Sequence, residues 1–350
     1  MASLSSFLLL SISCQSQEAP SYRIPLDQGP IIMSEPDVED PMLYIDGQLC
    51  QHLRQIFQDS NGDLWFGTNV YDLMHYDGDS LRYITELDGF SGGRVTGFAE
   101  DEDGNLWIAS SSGLNKYNRD TFTTYTEKDG LENQEIWSLL LDESGNFWIG
   151  HNEGLSRFDG TSFENLSIPK PEVSEVDPIY SENRITDIVQ DGEGNLWLGT
   201  DGYGITIYDG QQFTHLTKAD GLSGNNISDL MLDSKGNLWI GTVFNGLSKY
   251  DGQQFVNYTS DGIIEGIEVG ALFEDIQGDI WFGAENNGVY KYDGTAFSHY
   301  TQEEDLDAII LSIYRDRENR FWFGGWGGLF RFDGLSFSSV TKDGPWGIEH

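Results

Sequence analysis

Apolar and polar positions alternate along most of this chain in short runs, and each run is broken by Gly, Asp or Asn. A period of two is the mark of a strand, because successive side chains point to opposite faces; a helix would place apolar residues every three to four positions. No long stretch follows the helical period, so short strands joined by tight turns are predicted, with almost no helix. The pattern also recurs as a unit. An apolar residue, Trp, an apolar residue and usually Gly stand at Trp65, Trp107, Trp148, Trp197, Trp239, Trp281 and Trp322, at successive spacings of 42, 41, 49, 42, 42 and 41 residues. Chance does not produce seven such anchors at this regularity.

Each unit has the same parts. An aspartate stands six residues before each Trp (Asp59, Asp101, Asp142, Asp191, Asp233, Asp275, Asp316), and Gly stands three before it, replaced by Asn319 in the last unit. Asp followed by a residue that tolerates positive φ predicts a hairpin turn. About ten residues after Trp an aromatic precedes Asp-Gly, as at Tyr250-Asp251, with Tyr117-Asn118 as the variant; this predicts a second hairpin. A large apolar residue follows, and most units end in another Asp-Gly. In the fifth unit the strands are predicted at 227–232 (A), 237–242 (B), 246–250 (C) and 254–258 (D). Four antiparallel strands in about 42 residues match one blade of a propeller. The fold class is therefore all-β, a seven-bladed β-propeller of four-stranded antiparallel blades.

Strand B supports face-to-face stacking. Trp239 and Gly241 share one face and Leu238 and Ile240 the other, so both faces are apolar and both are expected to be buried. The Gly two residues after each Trp leaves room for a neighbouring blade, and its one replacement, Ala109, is also small. The Trp ring is read as core. Met42–Gly47 resembles the end of a strand D and is expected to lie beside the final blade and help close the ring.

Composition adds less. Glycine at 42 residues and 13% aromatics suit many strands and turns. The net charge of −39 excludes nucleic-acid or anionic-lipid binding by the general surface, since phosphate contacts need clustered Lys and Arg. Much of that acidity belongs to the repeated turn aspartates. Of two cysteines, Cys14 closes a short apolar run, residues 7–13, that is too short to span a bilayer and reads as a signal-peptide core. The small residue before Cys14 and the polar stretch after it resemble a bacterial lipoprotein signal, which would leave Cys14 acylated. The resemblance departs from the pattern in having no Lys or Arg before the core and Ser11 where a leucine is usual. Secretion without an anchor, and no export at all, are the alternatives. The organisation expected is a leader over 1–14, a tether over 15–40, the propeller over 41–344 and a tail over 345–350. With Cys14 lipidated, Cys50 would have no disulfide partner.

The unit Asp233-Ser-Lys-Gly-Asn-Leu-Trp-Ile-Gly-Thr, with Tyr250-Asp-Gly and Asp261-Gly, resembles the two-component regulator propeller repeat, over about residues 46–344. The resemblance implies the extracytoplasmic sensor part of bacterial hybrid histidine kinases, which often recognises glycans. The sequence carries no transmitter or phosphoacceptor region, so a sensor-like ligand module is implied and kinase activity is not. The repeat motif is structural, and no family site residues carry over.

In a four-stranded blade the A–B and C–D hairpins share one rim, and the B–C and D–A connections share the other. The first rim is repetitive, the second irregular, and irregular loops on a rigid scaffold are where binding is expected. Candidate ligand residues there are Tyr71, His151, Glu153, Tyr203, Phe244, Glu285 and Trp326, with Arg94 and Arg184 at equivalent starts of strand A. Aromatic faces pack against sugar C–H groups, while amides and carboxylates bind hydroxyls. The D–A connection with Pro169, Pro171 and Pro178 is long enough for a lid or a tolerated insertion. No cofactor is expected. The six histidines show no metal-ligand spacing, no nucleophile elbow or phosphate loop occurs, and Asp101–Asn105 lacks the twelfth-position acid of a calcium loop. Three functions fit: a monomeric envelope module that binds a glycan or similar polar ligand, a scaffold for a membrane signalling or transport protein, and a lyase resembling streptogramin lyases, for which His151 and Glu153 would be the first candidates.

Overall fold

The computed structural model describes residues 49–50, 52–69, 73–174, 176–259, 264, 268–285, 288–301, 306 and 308–346. The leader with Cys14, the expected strand at 42–47, and Tyr71 lie outside them. Seven separate sheets form, each of four antiparallel strands in sequence order A-B-C-D. In blade 5 the strands are Ile227–Leu232, Leu238–Thr242, Gly246–Tyr250 and Phe255–Asn257. The only helical pieces among the described residues are three-residue 3-10 turns, Glu86–Asp88, Glu127–Asp129 and Lys218–Asp220. Each is capped by the preceding Thr and ended by the Gly of the terminal Asp-Gly, whose φ of 92–110° only glycine adopts freely.

The A strands, Leu53–Gln58, Val95–Glu100, Ile136–Leu141, Ile185–Gln190, Ile227–Leu232, Val269–Glu274 and Ile310–Arg315, pack each against the next, and the last packs against the first. They form a closed ring around a central channel, and among the described residues each sheet is continuous in sequence. Side chains seal the seam between blades 7 and 1. Gln58 donates its amide N–H to Tyr314 Oη at 3.2 Å and accepts the Arg317 amide N–H at 2.8 Å. Trp346, beyond the last strand, lies flat on Tyr76 with ring centroids 4.2 Å apart, and so ties the C-terminal segment to blade 1.

Strand B is the spine of each blade. All five residues of Leu238–Thr242 are buried, as two-sided stacking requires. A Cβ on Gly241 would lie 2.1 Å from the Val269 carbonyl oxygen of the next blade, so glycine is needed here for close approach. The aspartate six residues before Trp does more than form the turn. In all seven blades its Oδ2 accepts the Trp indole N–H at 2.7–2.9 Å. Its Oδ1 accepts turn amides, as Asp233 does from Lys235 and Asn237. Burial alone would raise the Asp233 pKa, but the Asn237 side chain, the Trp239 N–H and these amides together hold it below the usual carboxylate range. One carboxylate thus joins turn geometry to core satisfaction, since a buried indole N–H without a partner is costly. In six blades a basic side chain or His lies across from Trp on strand C, as Lys249 over Trp239 at 5.5 Å and His75 stacked on Trp65 at 4.1 Å. Blade 4 places Ile207 there instead.

Candidate ligand-binding site

A bulge interrupts the A–B pairing of every blade near the irregular rim. The residue eleven positions before Trp is Arg54, Thr96, Trp137, Thr186, Ser228, Gly270 or Leu311 in blades 1 to 7, and it lies at this bulge in all but blade 6, where Gly270 pairs with Gly283 and the bulge falls at 271–272. In blades 2 and 5 a small hydroxyl here staples neighbouring blades: Thr96 Oγ1 donates to the Ile136 carbonyl at 3.0 Å, and Ser228 Oγ donates to that of Val269, whereas Thr186 Oγ1 in blade 4 is buried without such a bond. Blades 1 and 3 replace the staple with long side chains.

Trp137 meets the two arginines that begin strand A in blades 2 and 4. The guanidinium carbon of Arg94 lies over the Trp137 ring at 3.7 Å, and that of Arg184 at 4.5 Å. Trp137 is fixed by its own indole N–H, which donates to Asn152 Oδ1 at 2.7 Å; Asn152 donates in turn to Glu135 at 2.9 Å, and Glu135 pairs with Arg94 at 3.1 Å. Arg184 is buried, pairs with Asp201 at 3.2 Å and lies 4.5 Å from the centroid of the exposed Tyr180 ring. Asp201, itself fully buried, accepts the amide N–H groups of Ile179 and Tyr180 at 2.9 Å and so anchors the end of the long D–A connection. Burial first, and then the positive charge of Arg94, push the Arg54 guanidinium down to about 10, with Tyr180 and Glu268 opposing.

Beside this cluster, residues 167–171 and 182–183 of the long D–A connection line a cavity of about 220 Å³ in the cleft between blades 3 and 4. Glu153, Lys170, Glu182, Asn183 and Tyr203 line it. Lys170 Nζ reaches Glu182 at 3.0 Å and lies 5.0 Å over the Tyr203 ring, while Tyr203 Oη donates to Glu182 at 3.2 Å. Glu153 accepts from Asn183 at 3.2 Å. Burial leaves the Glu132 carboxyl at the same cavity above its ordinary pKa, and Glu153's charge adds to that.

The irregular rim therefore brings some of the expected residues together and leaves others apart. Arg94 and Arg184 share Trp137; Glu153 and Tyr203 share the cavity. Phe244 on blade 5 is 48% exposed, and Trp326 on blade 7 lies against His52 with centroids 4.6 Å apart. The Glu285 amide donates to the Glu268 carbonyl at 2.9 Å. His151 is fully buried beneath the rim, against the expectation that it faces a ligand. Its Nδ1 accepts the Glu153 amide N–H at 3.2 Å, so Nε2 carries the proton toward Ser156 Oγ at 2.7 Å, and burial holds its pKa near 4. Arg54, Trp137 and Tyr180 were not expected. The first two had a readable signal: they are the large polar or aromatic residues at a repeat position that other blades give mostly to Thr, Ser or Gly.

One position further along strand A, Asp187 and Asp229 face one another from blades 4 and 5. Asp187 accepts the Leu230 amide N–H at 2.8 Å and Asp229 that of Leu272 at 2.7 Å. Burial raises the pKa of both carboxyls, and the neighbouring Asp187 charge raises Asp229 further, well above its ordinary value. Among the described residues no group of three or more His, Cys, Asp or Glu side chains is arranged to hold a metal ion.

Fold and spine together define a seven-bladed β-propeller whose blades are anchored by an Asp–Trp pair. Residues 47–70, 89–112, 130–153, 179–202 and 221–244 each match the two component regulator propeller model. The chain carries repeats of that family. No curated protein matches it. Among solved structures it resembles the extracellular domain of a hybrid two component system, BT3049 from B. thetaiotaomicron, at 21% identity and a TM-score of 0.67 over 83% of this chain and 40% of that one. It also resembles virginiamycin B lyase from Staphylococcus aureus, at 13% identity and 0.64 over 82% and 96%. A third is PorZ, a surface component of the type-IX secretion system of Porphyromonas gingivalis, at 16% and 0.63 over 83% and 48%. The chain thus spans less than half the length of the sensor domain it matches. No helix among the described residues is long and apolar enough to cross a membrane.

Proposed function

We propose that this protein is an exported, sensor-like propeller that binds a polar ligand, a glycan in the first instance, on the blade 3–4 side of its irregular rim. The observation that carries the reading is the cleft lined by Tyr203, Lys170, Glu153 and Glu182, which sets an aromatic ring beside groups of both charges. An apolar ring face with a few convergent polar groups is what a sugar needs. The family of the repeats supports a sensing role, and the likeness to an extracellular sensor domain supports it through the fold alone. Export and anchoring rest on the apolar run before Cys14, whose acylation would be lost in Cys14→Ser.

A thermal-shift screen of the protein without its leader, against oligosaccharides with and without divalent cations, tests the reading. A ligand that binds only the folded state raises the midpoint. Tyr203→Ala is expected to abolish that rise, and also to lower the unliganded midpoint because the side chain is only 9% exposed, so circular dichroism is read alongside to show that the variant is folded. If a wide panel produces no shift and a membrane protein co-purifies instead, the rim is a docking scaffold.

A further inference from the structure

The repetitive rim departs from its own pattern at the seam between blades 4 and 5. Strand B is buried throughout in six blades, but Trp197 of blade 4 is half-exposed. Its cross-strand neighbour is Ile207, where every other blade carries Lys, Arg or His. Seams 1–2 and 5–6 are closed by a serine of one turn bonded to a glutamate of the next blade, Ser60 to Glu100 at 2.7 Å and Ser234 to Glu274 at 2.8 Å. The equivalent residues at seam 4–5 are Gly192 and Leu232, which cannot make that bond. An open cavity of about 690 Å³ lies there, with Trp197, Tyr250, Asp191, Glu193 and Asp233 in its walls and no Lys, Arg or His among them.

Elsewhere the chain puts its own guanidinium groups at the corresponding places. Arg119, two residues past the aromatic that ends strand C of blade 2, reaches back to blade 1. One of its Nη atoms donates to Asp59 Oδ2, the other to Glu100 at 2.6 Å, and its Nε to the Gly104 carbonyl at 2.8 Å. Asp59 also accepts the Trp65 indole N–H and two turn amides, so the repeated carboxylate has room for a guanidinium besides. Arg320 donates to Asp316 in the same way in blade 7. In blade 3, Arg157 lies over Trp148 at 5.8 Å and donates to Asn146 Oδ1 at 2.9 Å. The counterparts of Asp59, Glu100, Gly104 and Arg119 at seam 4–5 are Asp191, Leu232, Gly236 and Gly252, and all four line the cavity. Asn195 stands in the place of Asn146, and Ile207, in the place of Arg157, has no donor to offer it.

We propose that this seam binds the guanidinium of an arginine side chain from a partner polypeptide, seated over Trp197 and beside Asp191 and Asn195. The site lies on the opposite rim from the glycan cleft and is independent of it. The half-exposed indole supplies a face for a cation, and the carboxylates beside it add charge. The planar fork can bond a carbonyl and a carboxylate together, as Arg119 does, which an ammonium group does less well. The cavity is much larger than one guanidinium, so it has space for the backbone that carries the side chain. The net charge of −39 draws a basic partner toward this face.

The test is a titration of protein isotope-labelled at tryptophan, followed through its ten indole N–H signals by nuclear magnetic resonance, with that of Trp197 assigned from Trp197→Phe. The probes are capped Gly-Ser-Arg-Ser-Gly and the same peptide with lysine or the uncharged isostere citrulline at its centre. The arginine peptide is expected to move the Trp197 signal first and to bind about tenfold more tightly than the citrulline peptide, with affinity falling as salt rises. Ile207→Lys places an ammonium over Trp197, as Lys249 lies over Trp239, and should lower the affinity about tenfold. Glu193→Lys, at an exposed position, should lower it several-fold without disturbing the fold. Equal binding of the arginine and citrulline peptides overturns the proposal, as does unchanged affinity in either folded variant. Equal movement of several indole signals would assign the effect to the general negative field and overturn the site. A lysine peptide that binds as tightly as the arginine one overturns the assignment to arginine. Circular dichroism shows whether each variant is folded.

Discussion

The two rims of this propeller are made by the same seven repeats and obey opposite rules. On the A–B and C–D rim the repeated turn aspartates do the same local work in blade after blade: Asp233 satisfies two turn amides and the Trp239 indole, and Asp251 caps its own hairpin by accepting the Gln253 and Gln254 amides. Bonds between blades there repeat as well, with Glu100 accepting the Ser60 amide N–H and Glu274 that of Ser234, both at 2.6 Å. On the other rim, side chains look past their own blade. Arg94 of blade 2 reaches Trp137 and Glu135 on the way to blade 3, and Asn226 of blade 5 donates to Asp201 of blade 4 at 3.1 Å. Bonds that recur at equivalent positions make a rim that repeats and contributes stability; bonds that differ from blade to blade make a rim that is irregular and free to recognise something.

The contrast can be broken most forcefully on the repetitive side. Asp233→Ala leaves a buried indole N–H and the turn amides unpaired, and is expected to cost about 3–4 kcal/mol in a urea melt. The matching Asp191→Ala should cost less, because Trp197 is only half-buried. A similar cost after both changes would mean that the indole bond carries little of the effect. Gly241→Ala pushes a methyl into the Val269 carbonyl and is expected to cost about 3 kcal/mol by overpacking. An unchanged melting midpoint would show that the blades can slide apart to accept it.

Buried titrating groups near the irregular rim give smaller effects, and they depend on pH. His151 has a folded pKa near 4 against about 6.5 unfolded. The unfolded chain binds the extra proton in that window, so stability falls as pH drops from about 6.5 to 4, by on the order of 2–3 kcal/mol. His151→Gln should flatten this slope in melts at successive pH values, and an identical slope would assign it to other groups. Asp229 has the opposite sign. Its folded pKa is raised, so the stability it gives is present at low pH and is lost as pH rises through that value. Asp229→Asn is therefore expected to raise the melting midpoint at pH 8 and to do little near pH 4. Destabilisation at pH 8 would mean that the ionised pair is favourable after all. Smallest of all, Tyr180→Ser should leave stability within about 0.5 kcal/mol, because the ring is 67% exposed, while lowering ligand affinity. A large loss of stability there would move Tyr180 from recognition to the scaffold.

Much of the scaffold is legible along the chain because its causes are local. The A and C strands of the fifth unit lie where the alternation and the Asp-Gly turns place them, and the glycine after Trp is required by the blade behind it, as its small size suggests. The second duty of the repeated aspartate, on the indole nitrogen, is hidden only because a turn already accounts for Asp at that spacing. The site is less legible. Arg94 and Arg184 could be singled out at equivalent positions, but His151 could not be told from a rim ligand, since one residue of alternation separates facing outward from lying under Ser156.

What the amino-acid sequence determined by itself is the blade: its period, its strands, its turns and their number, each set by contacts within about forty residues. Only the tertiary structure decided which side chains meet across the mouth of the ring. Arg94, Trp137 and Arg184 belong to three different blades, and nothing in their local sequence makes them neighbours. Their proximity follows from the closing of the ring, which brings the irregular ends of distant strands to one opening and sets both guanidinium groups against one ring.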